Sequence, residues 1–174
     1  MKIKIQNSFY SIFLVCLTGL FISCNNTNTG ATEVDELSDE ERVVENEGLF
    51  MNTIQSHLDA VNNKDLMVLN NTLSSEGNMQ LVLPNGETVK SARAYIKYYR
   101  ELFKNSNWTF KYKIINANIE QRVGIAITEI VFQGLDKDGK PLNNKMVVSY
   151  ALKRVNGVWF ITKNHASSIE KSIT

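Results

Sequence analysis

The stretch from Trp108 to the C-terminus most constrains what this chain can fold into. From Trp108 to Ile119 apolar and polar residues alternate, with Trp108, Phe110, Tyr112 and Ile114 on one side. A period of two marks a strand, because successive side chains leave a pleated backbone on opposite faces. Three more runs of strand character follow: Arg122–Gln133, Met146–Val155 and Val158 to about Ser167. Asn156-Gly157 separates the last two, and both residues tolerate the positive φ that a two-residue hairpin requires. Asp136-Lys137-Asp138-Gly139 has a calcium-loop flavour, yet its glycine falls too early and the closing glutamate is missing, so it reads as a turn. These runs predict an antiparallel meander whose apolar face needs a cover.

The cover comes from upstream. Ser38-Asp39-Glu40-Glu41 has the form of a capping box, and Val43, Val44, Phe50, Ile54, Leu58 and Val61 continue at helical spacing to Asn62-Asn63, with Gly48 as a weak point. Asp65 can cap a short second helix whose Leu66, Leu69 and Leu73 share a face. A small hairpin is expected next, Met79 to Leu83, the turn Pro84-Asn85-Gly86, then Glu87 to Val89. A third helix spans Ser91 to Phe103, with Ala92, Ile96, Tyr99 and Phe103 as its buried stripe and Tyr95 and Leu102 beside it. Helices followed by a meander make an α+β domain. In the second long strand Val123, Ile125, Ile127 and Val131 point one way while Ala126, Ile130 and Phe132 point the other. A strand apolar on both faces is covered on both, so a homodimer through the sheet face is expected.

The N-terminus carries an address. Lys2 and Lys4 precede an apolar run from Phe9 to Ile22, which suits a signal-peptide core rather than a membrane span. Leu20-Phe21-Ile22-Ser23-Cys24 resembles the lipobox of bacterial lipoproteins, with Phe21 departing from the usual leucine. That resemblance implies cleavage before Cys24, lipidation of its thiol and attachment to a bacterial membrane, on the periplasmic side or the cell surface. The expected organisation is a signal peptide over 1–23, a lipidated Cys24 with an acidic tether over 24–37, and one domain over 38–170. The only other cysteine, Cys16, falls in the segment that would be removed, so the mature domain has no disulfide and no cysteine metal ligand. Of 19 Lys and Arg, two are lost with Lys2 and Lys4, which leaves 17 against 18 Asp and Glu. Nothing there suits nucleic acid, which needs a basic face.

The order of elements resembles the nuclear-transport-factor-2-like superfamily, also called SnoaL-like or cystatin-like α+β, and its DUF4440 branch. The likeness rests on Ala60-Val61-Asn62-Asn63-Lys64-Asp65-Leu66, on the helix Ser91–Phe103 and on the closing "VNGVWFITKNHASS". It implies three helices packed on a strongly curved antiparallel sheet that forms a cone-shaped pocket. It also implies either binding of a small apolar molecule, assembly, or cofactor-free isomerase, dehydratase or cyclase chemistry. Fold alone does not choose among these.

Six residues are candidate pocket liners: His57, Tyr99, Trp108, Tyr112, Glu129 and His165. His165 shares strand parity with Trp159, Ile161, Lys163 and Ser167, which makes it either a pocket acid–base group or a half-buried residue bonded to backbone that fixes the last strand at the sheet end. Glu129 stands among Val and Ile, where burial would raise its pKa toward general-base use, unless a cross-strand lysine or arginine pairs with it. His57 borders the stripe of the first helix, where it faces either the interior of the cone or the helix surface. Two distant histidines without a third ligand do not make a metal site, and no cofactor motif is present.

Overall fold

The computed structural model describes residues 38–75, 79–105, 107–136 and 138–173. The expected signal peptide, Cys24 and the tether lie outside the described residues. Helix α1 (Asp39–Asn62) begins on the expected capping box: Glu41 N–H donates to the Ser38 hydroxyl at 3.3 Å, and Ser38 N–H donates to the Glu41 carboxylate at 2.8 Å. Its buried face runs through Phe50, Ile54, His57, Leu58, Ala60 and Val61. Val43 and Val44 are exposed, so the apolar stripe begins later than the spacing suggests. In those first turns Asn46 alone is buried, with its Nδ2 donating to Glu120 O and its Oδ1 accepting from Trp159 Nε1 at 3.2 Å.

Helix α2 (Leu66–Asn71) is capped by Asp65, whose carboxylate accepts from Met67 and Val68 N–H at 2.9 and 3.0 Å. Leu73 lies beyond its end and bridges to Ile161 of the sheet. Strands β1 (Gln80–Val82) and β2 (Thr88–Val89) form the small hairpin. Helix α3 (Ala92–Lys104) starts at Ser91, whose hydroxyl accepts from Ala94 N–H. Tyr95, placed beside the stripe by spacing, is its most buried residue at 0 % exposure.

The meander follows as β3 (Thr109–Ile119), β4 (Val123–Leu135), β5 (Pro141–Val155) and β6 (Val158–Ile173), in a sheet of order β2-β1-β6-β5-β4-β3. β5 starts earlier and β6 ends later than the sequence expects. Asn156 and Gly157 take φ of 50° and 83°, as their tight hairpin requires. β1 pairs with β6 in parallel, the one parallel contact between named strands. Extra residues at Ile115, Thr162 and Ile169 bulge the ladders. A bulge bends its strand and increases the local twist, so the sheet curves around the helices.

The bulge at Thr162 overturns the expected parity of β6. Trp159 and Ile161 face the core as expected, but Asn164 and Ala166 then take the inner positions, and His165 and Ser167 are exposed. A period of two tolerates no inserted residue, so a single bulge moved the histidine to the outer face. On that face Val123 and Ile125 of β4 are 56 % and 51 % exposed, so none of the described helices covers them.

In the core Phe50 meets Trp159 edge-on at 5.1 Å. A Cβ on Gly124 would lie 2.6 Å from Phe50 Cε2 and 3.2 Å from the Asn118 carbonyl. Gly124→Ala should therefore destabilise the domain by about 1–3 kcal/mol, the usual cost of overpacking. Gly48→Ala, on an open helix surface with nothing within 4 Å, should instead stabilise by about 0.5–1 kcal/mol. Thermal unfolding of both variants checks the pair, and equal effects would contradict it.

Candidate functional site

Between α3, the β1–β2 hairpin and the inner faces of β3 to β6 lies a cavity of ≈ 210 Å³. Its walls are largely aromatic and aliphatic: Tyr98, Tyr99 and Leu102 from α3, Trp108 and Phe110 at the start of β3, and Phe132, Met146, Val148 and Tyr150 from the central strands. No Asp, Glu, Lys, Arg or His stands among the described residues that line it. The Trp108 indole is held by donation from Nε1 to Leu102 O at 3.2 Å, and Lys64 Nζ lies 4.0 Å from the ring centroid. Burial raises the Tyr99 and Tyr150 hydroxyl pKa values above their ordinary range, so both remain protonated.

Two asparagines break the apolar wall. Asn144 and Asn164 are 9 % and 3 % exposed, and the carbonyl oxygen of each has no hydrogen-bond partner among the described residues. A buried acceptor without a partner costs about 1–3 kcal/mol, so each marks a place where a donor would be welcome. Asn164 sits in the sheet between Leu81 of β1 and Tyr150 of β5.

Behind the wall at Asn164 runs a buried polar chain. The Thr72 hydroxyl donates to Leu69 O at 2.7 Å, and His57 Nδ1 lies 2.7 Å from the same hydroxyl. His57 Nε2 lies 3.0 Å from the Tyr95 hydroxyl, to which Asn164 Nδ2 donates at 3.2 Å. His57 is fully buried, and desolvation alone lowers its pKa to about 3, so the ring is neutral near pH 7. The imidazole, carried by α1, is not among the cavity lining; it meets the Tyr150 ring edge-on at 5.5 Å and the Tyr95 ring at 5.9 Å.

The sequence-derived candidates separate. Tyr99 and Trp108 line the cavity. Tyr112 faces α1, where its hydroxyl donates to Asp59 and accepts from Gln55, and burial followed by Asp59 pushes its pKa up to about 12. Glu129 lies on the outer face, half-exposed, and pairs with Lys145 Nζ at 2.9 Å across the β4–β5 ladder. His165 stands on the same outer side, displaced by the Thr162 bulge. Neither reaches the cavity. Tyr95, Thr72, Asn144, Tyr150 and Asn164 were missed. An asparagine within a central strand is itself a flag, since strands are depleted in Asn. Among the described residues no group of three His, Cys, Asp or Glu side chains comes together to hold a metal.

A model of the SnoaL-like domain matches residues 51–170. The chain belongs to the SnoaL-like domain family. Its solved structural neighbours carry the same architecture at low identity. An uncharacterized protein with a cystatin-like fold from Caulobacter vibrioides superposes with a TM-score of 0.65 at 14 % identity, over 72 % of this chain and 91 % of that one. The hexachlorocyclohexane dehydrochlorinase LinA-type3 from Novosphingobium barchaimii gives 0.63 at 13 %, over 79 % and 94 %. An NTF-2 like protein from Shewanella oneidensis gives 0.57 at 14 %, over 70 % and 98 %. At such identities the likeness concerns the fold alone. No curated protein matches the sequence. In this SnoaL-like domain the matched span begins within α1 and ends within β6, so it includes every residue of the cavity wall and of the buried chain.

Proposed function

We propose that this SnoaL-like protein is a lipid-anchored cell-envelope protein whose cavity binds one small, neutral, mainly apolar molecule without transforming it. The observation that carries the binding half is a cavity with apolar walls, no charged side chain among its described lining, and two unpartnered asparagine oxygens. Such sites combine apolar area for affinity with a few polar groups for orientation. A cavity near 150 Å³ holds benzene, so ≈ 210 Å³ suits a substituted ring or a short branched chain.

The alternative, a cofactor-free isomerase, dehydratase or cyclase, would need a base within hydrogen-bond reach of the substrate. Glu129 and His165 face away from the cavity, and His57 is shielded from it and poorly basic. The anchor half rests on Lys2, Lys4, the run Phe9–Ile22 and Ser23-Cys24.

Trp108 in the wall supplies the assay. Titration of the purified protein with small neutral aromatics should quench or shift its fluorescence saturably. Val148→Phe, which adds volume at a wall position that is 3 % exposed, should weaken binding at least about tenfold. Binding unaffected by that substitution would place the ligand elsewhere and remove the proposal. Conversion of a bound molecule to product would favour the enzyme.

A further inference from the structure

The buried chain has a direction, and that direction decides what the cavity can recognise. Leu69 O is a backbone carbonyl and can only accept, so the contact of 2.7 Å from Thr72 Oγ1 uses the single proton of that hydroxyl. Thr72 then has only lone pairs for His57 Nδ1 at 2.7 Å, which must carry the ring proton. In the neutral ring Nε2 is bare and accepts from the Tyr95 hydroxyl at 3.0 Å. The Tyr95 hydroxyl, which also has the Tyr99 hydroxyl as a neighbour, gives its proton to Nε2, so the atom 3.2 Å away on Asn164 is its amide nitrogen. The carbonyl end of Asn164 is therefore the end left over, buried, without a partner among the described residues, on a side chain that belongs to the cavity lining. Each step follows from donor and acceptor inventory and from the neutrality of the buried ring, and one backbone carbonyl four hydrogen bonds away sets the outcome.

We infer that the cavity selects ligands that bring an O–H or N–H donor to Asn164 Oδ1, with the polarity imposed from Leu69 through Thr72, His57 and Tyr95. The ligand class is a small neutral alcohol, phenol or amide rather than a ketone, ether or hydrocarbon. The inference rests on the binding reading above and adds the sign of its polar contact. The same chain makes the selectivity reversible. Without an acceptor at position 72, the Nδ1 proton has no partner, and the Nε2–H tautomer becomes the favoured one. Tyr95 would then accept from His57 and donate to Asn164, whose amide would turn its nitrogen into the cavity.

The test uses three probes of similar size: 4-methylphenol, which can donate, acetophenone, which only accepts, and toluene. Wild-type protein should bind 4-methylphenol about five- to tenfold more tightly than either of the others, the equivalent of one net hydrogen bond. Asn164→Leu should bring the three within about twofold. Thr72→Val should move the preference to acetophenone. Nitrogen-15 chemical shifts of the His57 ring should report a proton on Nδ1 in wild type and on Nε2 in Thr72→Val. Toluene or acetophenone binding as tightly as 4-methylphenol in wild type would overturn the inference while leaving the binding reading intact. An Nε2 proton in wild type would overturn it without any ligand. No saturable binding by any of the three would bring down both. Should Asn164→Leu fail to fold, the wild-type ratios and the ring shifts still decide.

Discussion

Lowering the pH from 6.5 to 4 is expected to cost the domain about 3 kcal/mol through one residue, and His57→Leu should abolish that loss. His57 has an ordinary pKa of 6.5 that burial depresses to about 3. Below pH 6.5 the unfolded chain takes up a proton on this histidine, whereas the folded chain takes it up only near pH 3. Across that window the unfolded state binds more protons, so stability is complete above pH 6.5 and falls as the pH falls, by about 1.4 kcal/mol per unit. The leucine variant exchanges one cost for another. It deprives the Tyr95 hydroxyl of its acceptor, about 1–3 kcal/mol at pH 7, but has nothing left to titrate. Wild type should therefore be the more stable at pH 7, and the two should converge or cross by pH 4. Urea unfolding at half-unit intervals measures both curves. Exposed carboxylates such as Glu41 and Glu101, whose pKa values are lowered by Ser38 and Lys104, are common to both proteins and cancel in the difference. Parallel curves would mean that the ring is not neutral and dry in the fold.

Replacing Cys24 by alanine should remove the protein from the membrane fraction almost completely and abolish fatty-acid labelling. The reason is additive burial: each methylene of an acyl chain contributes about 0.8 kcal/mol, so firm anchoring needs more than one chain. Alanine offers no thiol for the first. Tight ligand binding should persist in this variant, since Cys24 precedes the whole domain. Labelling that survives the substitution would defeat the lipoprotein proposal without touching the cavity.

Much of the fold was legible because its signals are local. The capping box at Ser38, the Asp65 cap, the alternation after Trp108 and the Asn156-Gly157 turn each lie within a few residues, and each formed as the spacing predicts. The candidate site was half legible. Tyr99 and Trp108 come to the cavity because a strand or helix period carried them there. Glu129 was ambiguous by pattern, since a carboxylate among β-branched residues can face inward or pair with a cross-strand lysine; the ladder placed Lys145 beside it. His57 had the right neighbours, but helical spacing could not tell a border position from a fully enclosed one.

The sequence alone determined the order of elements, their caps and the need for an antiparallel ribbon covered by helices. Tertiary structure alone decided three things: the bulge at Thr162 that turns His165 out and Asn164 in, the parallel seat of β1 on β6, and the convergence of Thr72, His57, Tyr95 and Asn164. All three depend on which distant backbone a residue pairs with. A periodicity read along the chain contains no record of the partner, and one extra residue opposite β5 is enough to reverse the side chains that follow it as far as the next bulge at Ile169.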